Sequence, residues 1–360
     1  MRDFTTLLQL AYKSVTFWTK PCRMIGNGRG RKGNSMRRIL IFGCLFFLIC
    51  ACATDAAPSE KAYTLAPDAP PQTDVAAAST PDASPSALPG DAPASTDPVP
   101  EEGLCGDRFP DRFSDAPILT EDRYRSKSID VTVTRYTEKD TYAKIVTYYV
   151  ADVYVQDVTS IRTAAARGDF NTRYTRYVKD IASDLGALLA IDGDSYTHMK
   201  NSFVIRNGEL YRDTPIEDTD LCVLYRDGRM ETKPWGTFTG QEIIDSDPWQ
   251  VWGFGPALLD EAGKAMQISH ELSGHNPRAA IGYYEPGHYC FVIVDGRREG
   301  WSEGMRLSAL SQLMEDLGCK AAYNLDGGAS AQMYWNGGII NSVCGKNRTI
   351  SDIIYLLPEE

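Results

Sequence analysis

The chain has 360 residues and a formal net charge of −11, from 48 acidic and 37 basic side chains. A surplus of that sign repels polyanions, so nucleic acid is excluded as a partner, and so is electrostatic adhesion to anionic lipid. Nine cysteines occur without one Cys-x-x-Cys pair, so their spacing does not suggest zinc.

Taken in chain order, the first structured signal is Met36-Arg37-Arg38 followed by the apolar run from Ile39 to Ala51. A charged start before such a run reads as a secretory signal peptide, and the run is too short for a span of ~20 residues. It ends Ile49-Cys50-Ala51-Cys52, which resembles a bacterial lipobox with Cys52 as the lipidated residue. The expected location is therefore exported, at the cell membrane or cell surface, lipid-anchored. Residues 1–35 are basic over Arg29 to Lys32, glycine-rich over Gly26 to Gly33, and have no core period. Since a signal normally opens a chain, they read as a misassigned extension, with Met36 as the start. The alternative is a cytoplasmic extension ahead of a signal anchor. Residues 53–103 are Ala, Pro, Asp, Ser and Thr with almost no large apolar side chain. Such a segment cannot bury enough surface to offset its ordering entropy, so it reads as a disordered, proline-stiffened tether.

Residues 104–360 remain, enough for one large domain. The expected fold class is α+β, with a mixed, strand-rich sheet core and a few flanking helices. Ile129 to Val133 alternates with period two, and Tyr142 to Val155 is a β-branched and aromatic run long enough to bend once. Phe203 to Tyr211 reads as a hairpin whose Asn207-Gly208 favours a type I′ turn, and Leu221 onward repeats the pattern about Asp227-Gly228. Tyr289 to Val294 and Ile353 to Leu357 read as buried strands. A helix is expected within Arg173 to Leu189. In a second helix, Leu307, Leu310, Leu313, Met314 and Leu317 share one face and Gly318 supplies the stop. Cys105, Cys222, Cys290, Cys319 and Cys344 allow one or two disulfides. Cys222, Cys290 and Cys319 sit in apolar runs and read as buried small hydrophobes.

The segment Tyr323-Asn324-Leu325-Asp326-Gly327-Gly328-Ala329-Ser330 delivers an acid from an apolar run onto a Gly-Gly turn. Glycine permits unusual backbone angles and close approach of a ligand to the main chain. A carboxylate at a strand end beside exposed amides is one way to build a polar site on a rigid base. The plain alternative is a hairpin turn with a solvated acid. Comparable polar turns are Asp192-Gly193-Asp194-Ser195, Gly253-Phe254-Gly255-Pro256, Asn276-Pro277-Arg278 and Val294-Asp295-Gly296-Arg297.

In this order the set resembles the phosphodiester glycosidase family, which includes the catalytic domain of the mammalian uncovering enzyme. The resemblance covers about residues 185–357. It implies hydrolysis of the sugar C1–O bond of a sugar-1-phosphodiester, leaving a phosphomonoester. Phosphate leaves as a weak base and needs less help from a general acid than an ordinary alcohol does. Such a site needs a cation for the phosphate, a carboxylate near C1, and polar groups for the sugar hydroxyls. Arg278 is the leading phosphate ligand, because a guanidinium fork matches phosphate oxygens. The Gly327 and Gly328 amides are candidate helpers. Asp326 and Asp194 are the candidate catalytic carboxylates, with their roles left open. Asp192, Asp295, Ser330 and His288 are candidate substrate contacts, each with a structural alternative as a turn residue or a strand-start residue.

Two departures from the family pattern stand out: Asp192 where many relatives have Asn, and Ala329 and Ala331 in place of Gly and Ser. Ala329 asks more of the backbone than glycine, and Ala331 removes a hydroxyl. His198, His270 and His275 lack metal-ligand spacing. No cofactor is required by the sequence; a calcium site built from several Asp loops is the one metal alternative. The expected partners are a sugar-phosphodiester or polysaccharide substrate and a membrane reached through the lipid anchor, with no nucleic acid. The alternative functions are a phosphodiesterase cutting P–O and a non-catalytic cell-wall glycan-binding lipoprotein.

Overall fold

The computed structural model of the protein describes residues 105–199, 202–214, 217–268, 274–345 and 347–359. The signal, Cys52, the tether and His270 lie outside the described residues. The runs richest in β-branched and aromatic residues form the long strands, whose branched side chains pack well on a pleated surface.

One sheet has seven strands. In spatial order they are β1 (Ile118–Leu119), β2 (Arg123–Arg125), β3 (Ile129–Lys139), β4 (Ile145–Val155), β13 (His288–Val294), β12 (Arg278–Glu285) and β14 (Ala321–Asn324). A second sheet runs β10 (Met230–Lys233), β9 (Leu221–Tyr225), β11 (Pro248–Trp252), β7 (Ser202–Arg206), β8 (Glu209–Thr214). A third runs β16 (Gly338–Ile339), β15 (Met333–Trp335), β6 (Leu189–Asp192), β17 (Asp352–Leu356), β5 (Arg162–Ala165). The α-helices among the described residues are α1 (Val178–Asp184), α2 (Gly240–Asp245) and α3 (Leu307–Asp316).

The chain is thus mostly β, with fewer helical residues than an α+β reading suggests. The expected mixed sheet is corrected: the strand pairs in all three sheets are antiparallel. Parallel neighbours need long, usually helical crossovers, whereas β3–β4, β7–β8, β9–β10 and β12–β13 are joined by short hairpins. The helix expected within Arg173 to Leu189 is α1; it stops where Gly186 takes φ +65°, and Leu189 already opens β6. The Asn207-Gly208 turn has φ of +53° and +78°, as a type I′ turn requires.

The seven-stranded sheet is a middle layer, and the alternation along β13 shows it. Tyr289, Phe291 and Ile293 join a core shared with Leu189, Trp252 and Ile354 of the other sheets. Cys290, Val292 and Val294 point the other way, onto Leu310 and Met314 of α3. Each such side chain contributes roughly 1.5–3 kcal/mol by leaving water. β3 departs from this pattern: Ile129 to Val133 is buried or nearly so, but Thr134 to Lys139 is exposed. The outer half of β3 is therefore an exposed edge, whereas Val146 to Ala151 of its partner β4 stay buried.

Candidate active site

Three strand ends of the middle layer meet at one place. β14 pairs with β12 so that Asn324 faces Ala280. The Leu325 amide donates to the Ala279 carbonyl at 2.8 Å. One further step of that register sets Asp326 against Arg278, the first residue of β12. On its other flank Arg278 pairs with Val294, the last residue of β13, and Arg297 follows three residues later. The third sheet joins here too, because the Asp326 amide donates to the carbonyl of Gly193, just past β6, at 3.1 Å. A Cβ on Gly193 would lie 2.5 Å from the Asp352 carboxylate, so this approach needs glycine.

A cavity of about 430 Å³ opens at the junction, with Asp326, Arg278, Arg297 and Arg348 in its wall. Phe254 and Leu307 add apolar surface. β14 also holds the opposite wall in place. The Tyr323 hydroxyl donates to the Asp220 carbonyl at 2.5 Å and accepts from the Phe254 amide at 2.9 Å. The Asn324 side-chain amide donates to the Gly255 carbonyl at 2.7 Å.

Asp326 is 9% exposed, and its Oδ1 accepts from the Gly327 amide at 2.9 Å. Burial raises its carboxyl above the usual range, against the Ser330 hydroxyl, Arg348, the Gly327 amide and the Ser195 hydroxyl, which all favour the charged form. Arg278 donates from Nε to the Met305 carbonyl at 3.0 Å and from Nη2 to the Gly274 carbonyl at 2.8 Å. Burial, with the like charge of Arg297, lowers its pKa to about 10, which leaves it charged at neutral pH. Arg297 donates through Nε and Nη2 to Asn276 Oδ1 at 3.1 and 2.7 Å, and Arg348 Nη1 donates to Ser330 Oγ at 3.4 Å. Asp326 thus shares one cavity wall with three arginines. Anions fit such a pocket.

The other sequence-derived candidates fall elsewhere. Asp194 lies beneath the cavity, 1% exposed, where its Oδ2 takes Arg206 Nη2 at 2.7 Å and the Gly253 amide at 2.8 Å. Arg206 is itself fully buried and also reaches Asp352 at 3.5 Å. That trio braces the site from below. Asp192 is fully buried as well, accepts from the Gln332 amide at 3.1 Å, and is held well above the usual carboxylate range by burial and then by Asp326.

Asp295 is a cross-brace. It accepts from Trp301 Nε1 at 2.7 Å, and from Asn341 Nδ2 and the Ser342 amide, both at 2.9 Å. His288 opens β13, whereas Val294 at the cavity closes it, a separation of ~20 Å at strand rise. There His288 stacks between Tyr154 and Tyr284 and bonds Asp152 at 2.7 Å. Gly327 and Gly328 line the cavity, and their amides donate to Asp326 Oδ1 and the Pro277 carbonyl. Ser330 keeps its place beside Asp326.

Both alanine departures are accommodated. Gly328 takes φ +67° while Ala329 stays out of the left-handed region, and Ala331 packs in the core at 2% exposure. Arg297, Arg348 and the cavity-lining Asp218 were not singled out by sequence. Arg297 had a signal, since it closes the same turn as Asp295; Arg348 sits in a segment without pattern. Among the described residues no group of three or more His, Cys, Asp and Glu could hold a metal ion. The five described cysteines are buried, and the Cys290 and Cys319 sulfurs lie 3.7 Å apart.

Residues 185–357 match the phosphodiester glycosidase family. They carry a phosphodiester glycosidase domain. The fold agrees: the zebrafish N-acetylglucosamine-1-phosphodiester alpha-N-acetylglucosaminidase catalytic domain, auto-inhibited by its pro-peptide, superposes with a TM-score of 0.53 at 19% identity. That likeness covers 65% of this chain and 85% of the zebrafish one. A hypothetical protein from Synechocystis gives a TM-score of 0.50 at 15% identity, covering 64% and 62%. The SPbeta prophage-derived uncharacterized protein YomE of Bacillus subtilis is 26% identical over 258 residues, 66% of this chain. The match spans only 39% of that relative's length. The phosphodiester glycosidase domain holds Arg278, Arg297, Asp326 and Arg348 within its matched bounds. β3 and β4 lie outside them.

Proposed function

We propose that this protein hydrolyses the C1–O bond of a sugar-1-phosphodiester in surface or extracellular polysaccharide. One observation carries the reading: a single cavity sets the Asp326 carboxyl among three arginines. Arg278 and Arg297 take the phosphate oxygens, and their positive charge stabilises the negative charge that grows on the leaving oxygen. Phe254 offers an apolar face to the sugar. Water adds its oxygen to C1, the C1–O bond breaks, and its electron pair leaves with the phosphate. Asp326, with its raised carboxyl, either takes the water proton or attacks C1 first; both leave the same products. The export signal and lipobox read from residues 36–52 support a substrate outside the cell membrane.

The test is a product assay on GlcNAc-α-1-phospho-6-mannoside in 18O-water. Free GlcNAc carrying the label supports C1–O cleavage. Label in the phosphomonoester means P–O cleavage and overturns the glycosidase reading. Binding without turnover supports the glycan-binding alternative, although the unstrained Ala329 and core-packed Ala331 remove the motive for a decayed site.

A further inference from the structure

The tip of the β3–β4 hairpin carries an exposed aromatic ring that the fold holds rigidly. Tyr142 is 59% exposed. Its turn is pinned by Asp140, whose Oδ1 accepts from the Tyr142 and Lys144 amides at 2.9 and 2.8 Å. The Asp140 Oδ2 meets His275 Nε2 at 2.7 Å, which ties the tip to the segment leading into β12. The His275 ring meets Tyr142 edge-on, at 5.8 Å and 85°. The Arg306 guanidinium lies over one face of Tyr142, 4.6 Å from its centroid. Beside these two contacts Tyr142 keeps more than half of its surface open to solvent.

This rim borders the cavity. Asn276 and Met305 form an antiparallel bridge, so His275 and Arg306 sit across from each other one step further along. Asn276 and Leu307, next to each of them in sequence, both line the cavity. Arg306 forms no ion pair among the described residues, and its Nε is buried without a hydrogen-bond partner. The nearby acids are engaged: Asp140 by His275, and Glu303 by Lys144 at 4.0 Å. Arg306 as a whole is only partly buried, and no carboxylate among the described residues matches its charge, which favours an incoming anion at the accessible part of the side chain.

We propose that Tyr142 and Arg306 form a second subsite, which takes the next glycosyl-phosphate repeat of a polymeric substrate. The sugar ring lies on the open face of Tyr142 and its phosphate meets Arg306. The ring is a large contact surface held in place before binding, so little ordering entropy is lost when it is used. Tyr142 precedes the family-matched segment and Arg306 lies within it, so the subsite joins the two parts of the chain. The proposal rests on the phosphodiester glycosidase reading of the cavity.

The test compares two probes on the full chain: the methyl diester of α-GlcNAc-1-phosphate, and a trimer of 6-linked α-GlcNAc-1-phosphate repeats. The expected result is a trimer-to-monomer ratio of kcat/KM that falls by about 3- to 10-fold in Tyr142→Ala, the worth of one aromatic contact. Arg306→Gln lowers the same ratio, and Tyr142→Phe keeps it, because the ring is retained. An unchanged ratio in both Tyr142→Ala and Arg306→Gln overturns the subsite while leaving the cavity assignment intact. If neither probe is hydrolysed, the glycosidase reading fails instead, and trimer affinity by titration calorimetry decides the subsite. Weaker trimer binding by Tyr142→Ala supports it; equal affinity, or no binding by the unaltered chain, overturns it.

Discussion

Asp194→Asn and Asp326→Asn should fail in opposite ways. Asp194 is 1% exposed and bonds buried Arg206 at 2.7 Å and the Gly253 amide at 2.8 Å. Charge-assisted hydrogen bonds contribute roughly 1.5–3 kcal/mol each. Asparagine still offers Gly253 an acceptor, so the loss is mainly the Arg206 contact, about 2–3 kcal/mol. That is less than the ~3–5 kcal/mol for stranding a buried charge, because Asp352 remains 3.5 Å from Arg206. Arg206→Met strands the buried Asp194 carboxylate and should reach the upper end of that range. Asp326→Asn keeps its acceptor for Gly327 and relieves a buried carboxyl, so stability should change by less than ~1 kcal/mol. Its turnover should fall by about 10²–10⁴, the scale of a lost acid or base. Urea unfolding followed by tryptophan fluorescence and initial rates on the same preparations measure both. A wild-type unfolding midpoint in Asp194→Asn, with a rate as low as that of Asp326→Asn, would refute this division: Asp194 would then touch the substrate.

Arg297→Ala should weaken binding of a sugar phosphodiester about 10- to 100-fold, the worth of one charged hydrogen bond, and leave free-sugar affinity alone; equal losses in calorimetry count against a phosphate role. Stability should fall as pH rises from about 4 to about 8. Burial, with the Asp194 charge next, raises the Asp352 carboxyl from 3.8 to about 8, so across that window the folded chain holds a proton that the unfolded chain has lost. Above that window the effect levels off, and Asp352→Asn should flatten the slope in denaturant titrations at pH 5, 7 and 9. Gly193→Ala places a methyl group 2.5 Å from the Asp352 carboxylate, so it should cost at least 1–3 kcal/mol, the range for overpacked sites. A wild-type melting curve for that variant would mean that the β6 loop relaxes freely.

Much of the strand pattern was legible because one side chain in two faces each layer. Tyr289 to Val294 reads as a doubly buried strand from composition alone, and β13 occupies that place. The type I′ turn at Asn207-Gly208 and the α3 stop at Gly318 were legible for an equally local reason, since both need positive φ. Sheet direction was not, because it depends on which distant strands pair. β4 and β13 are neighbours although more than a hundred residues separate them in sequence.

The site shows the same limit more sharply. Asp192, Asp295 and Asp326 share one local signature: an acid at the end of a buried strand, followed by glycine. That signature marks a strand end, and all three lie near the same end of the molecule. What separates them is the supply of donors from afar. Asp295 receives three, from Trp301, Asn341 and Ser342, and both of its oxygens are occupied. Asp192 receives the Gln332 amide and is sealed off under Asp326. Asp326 receives the Gly327 amide and the Ser330 and Ser195 hydroxyls, keeps a face on the cavity, and shares that wall with three arginines. Those arginines come from three separate turns, 278, 297 and 348, with no spacing rule between them. A carboxyl among arginines is therefore a property of how the loops converge, and only the antiparallel register that sets residue 326 against 278 brings it about.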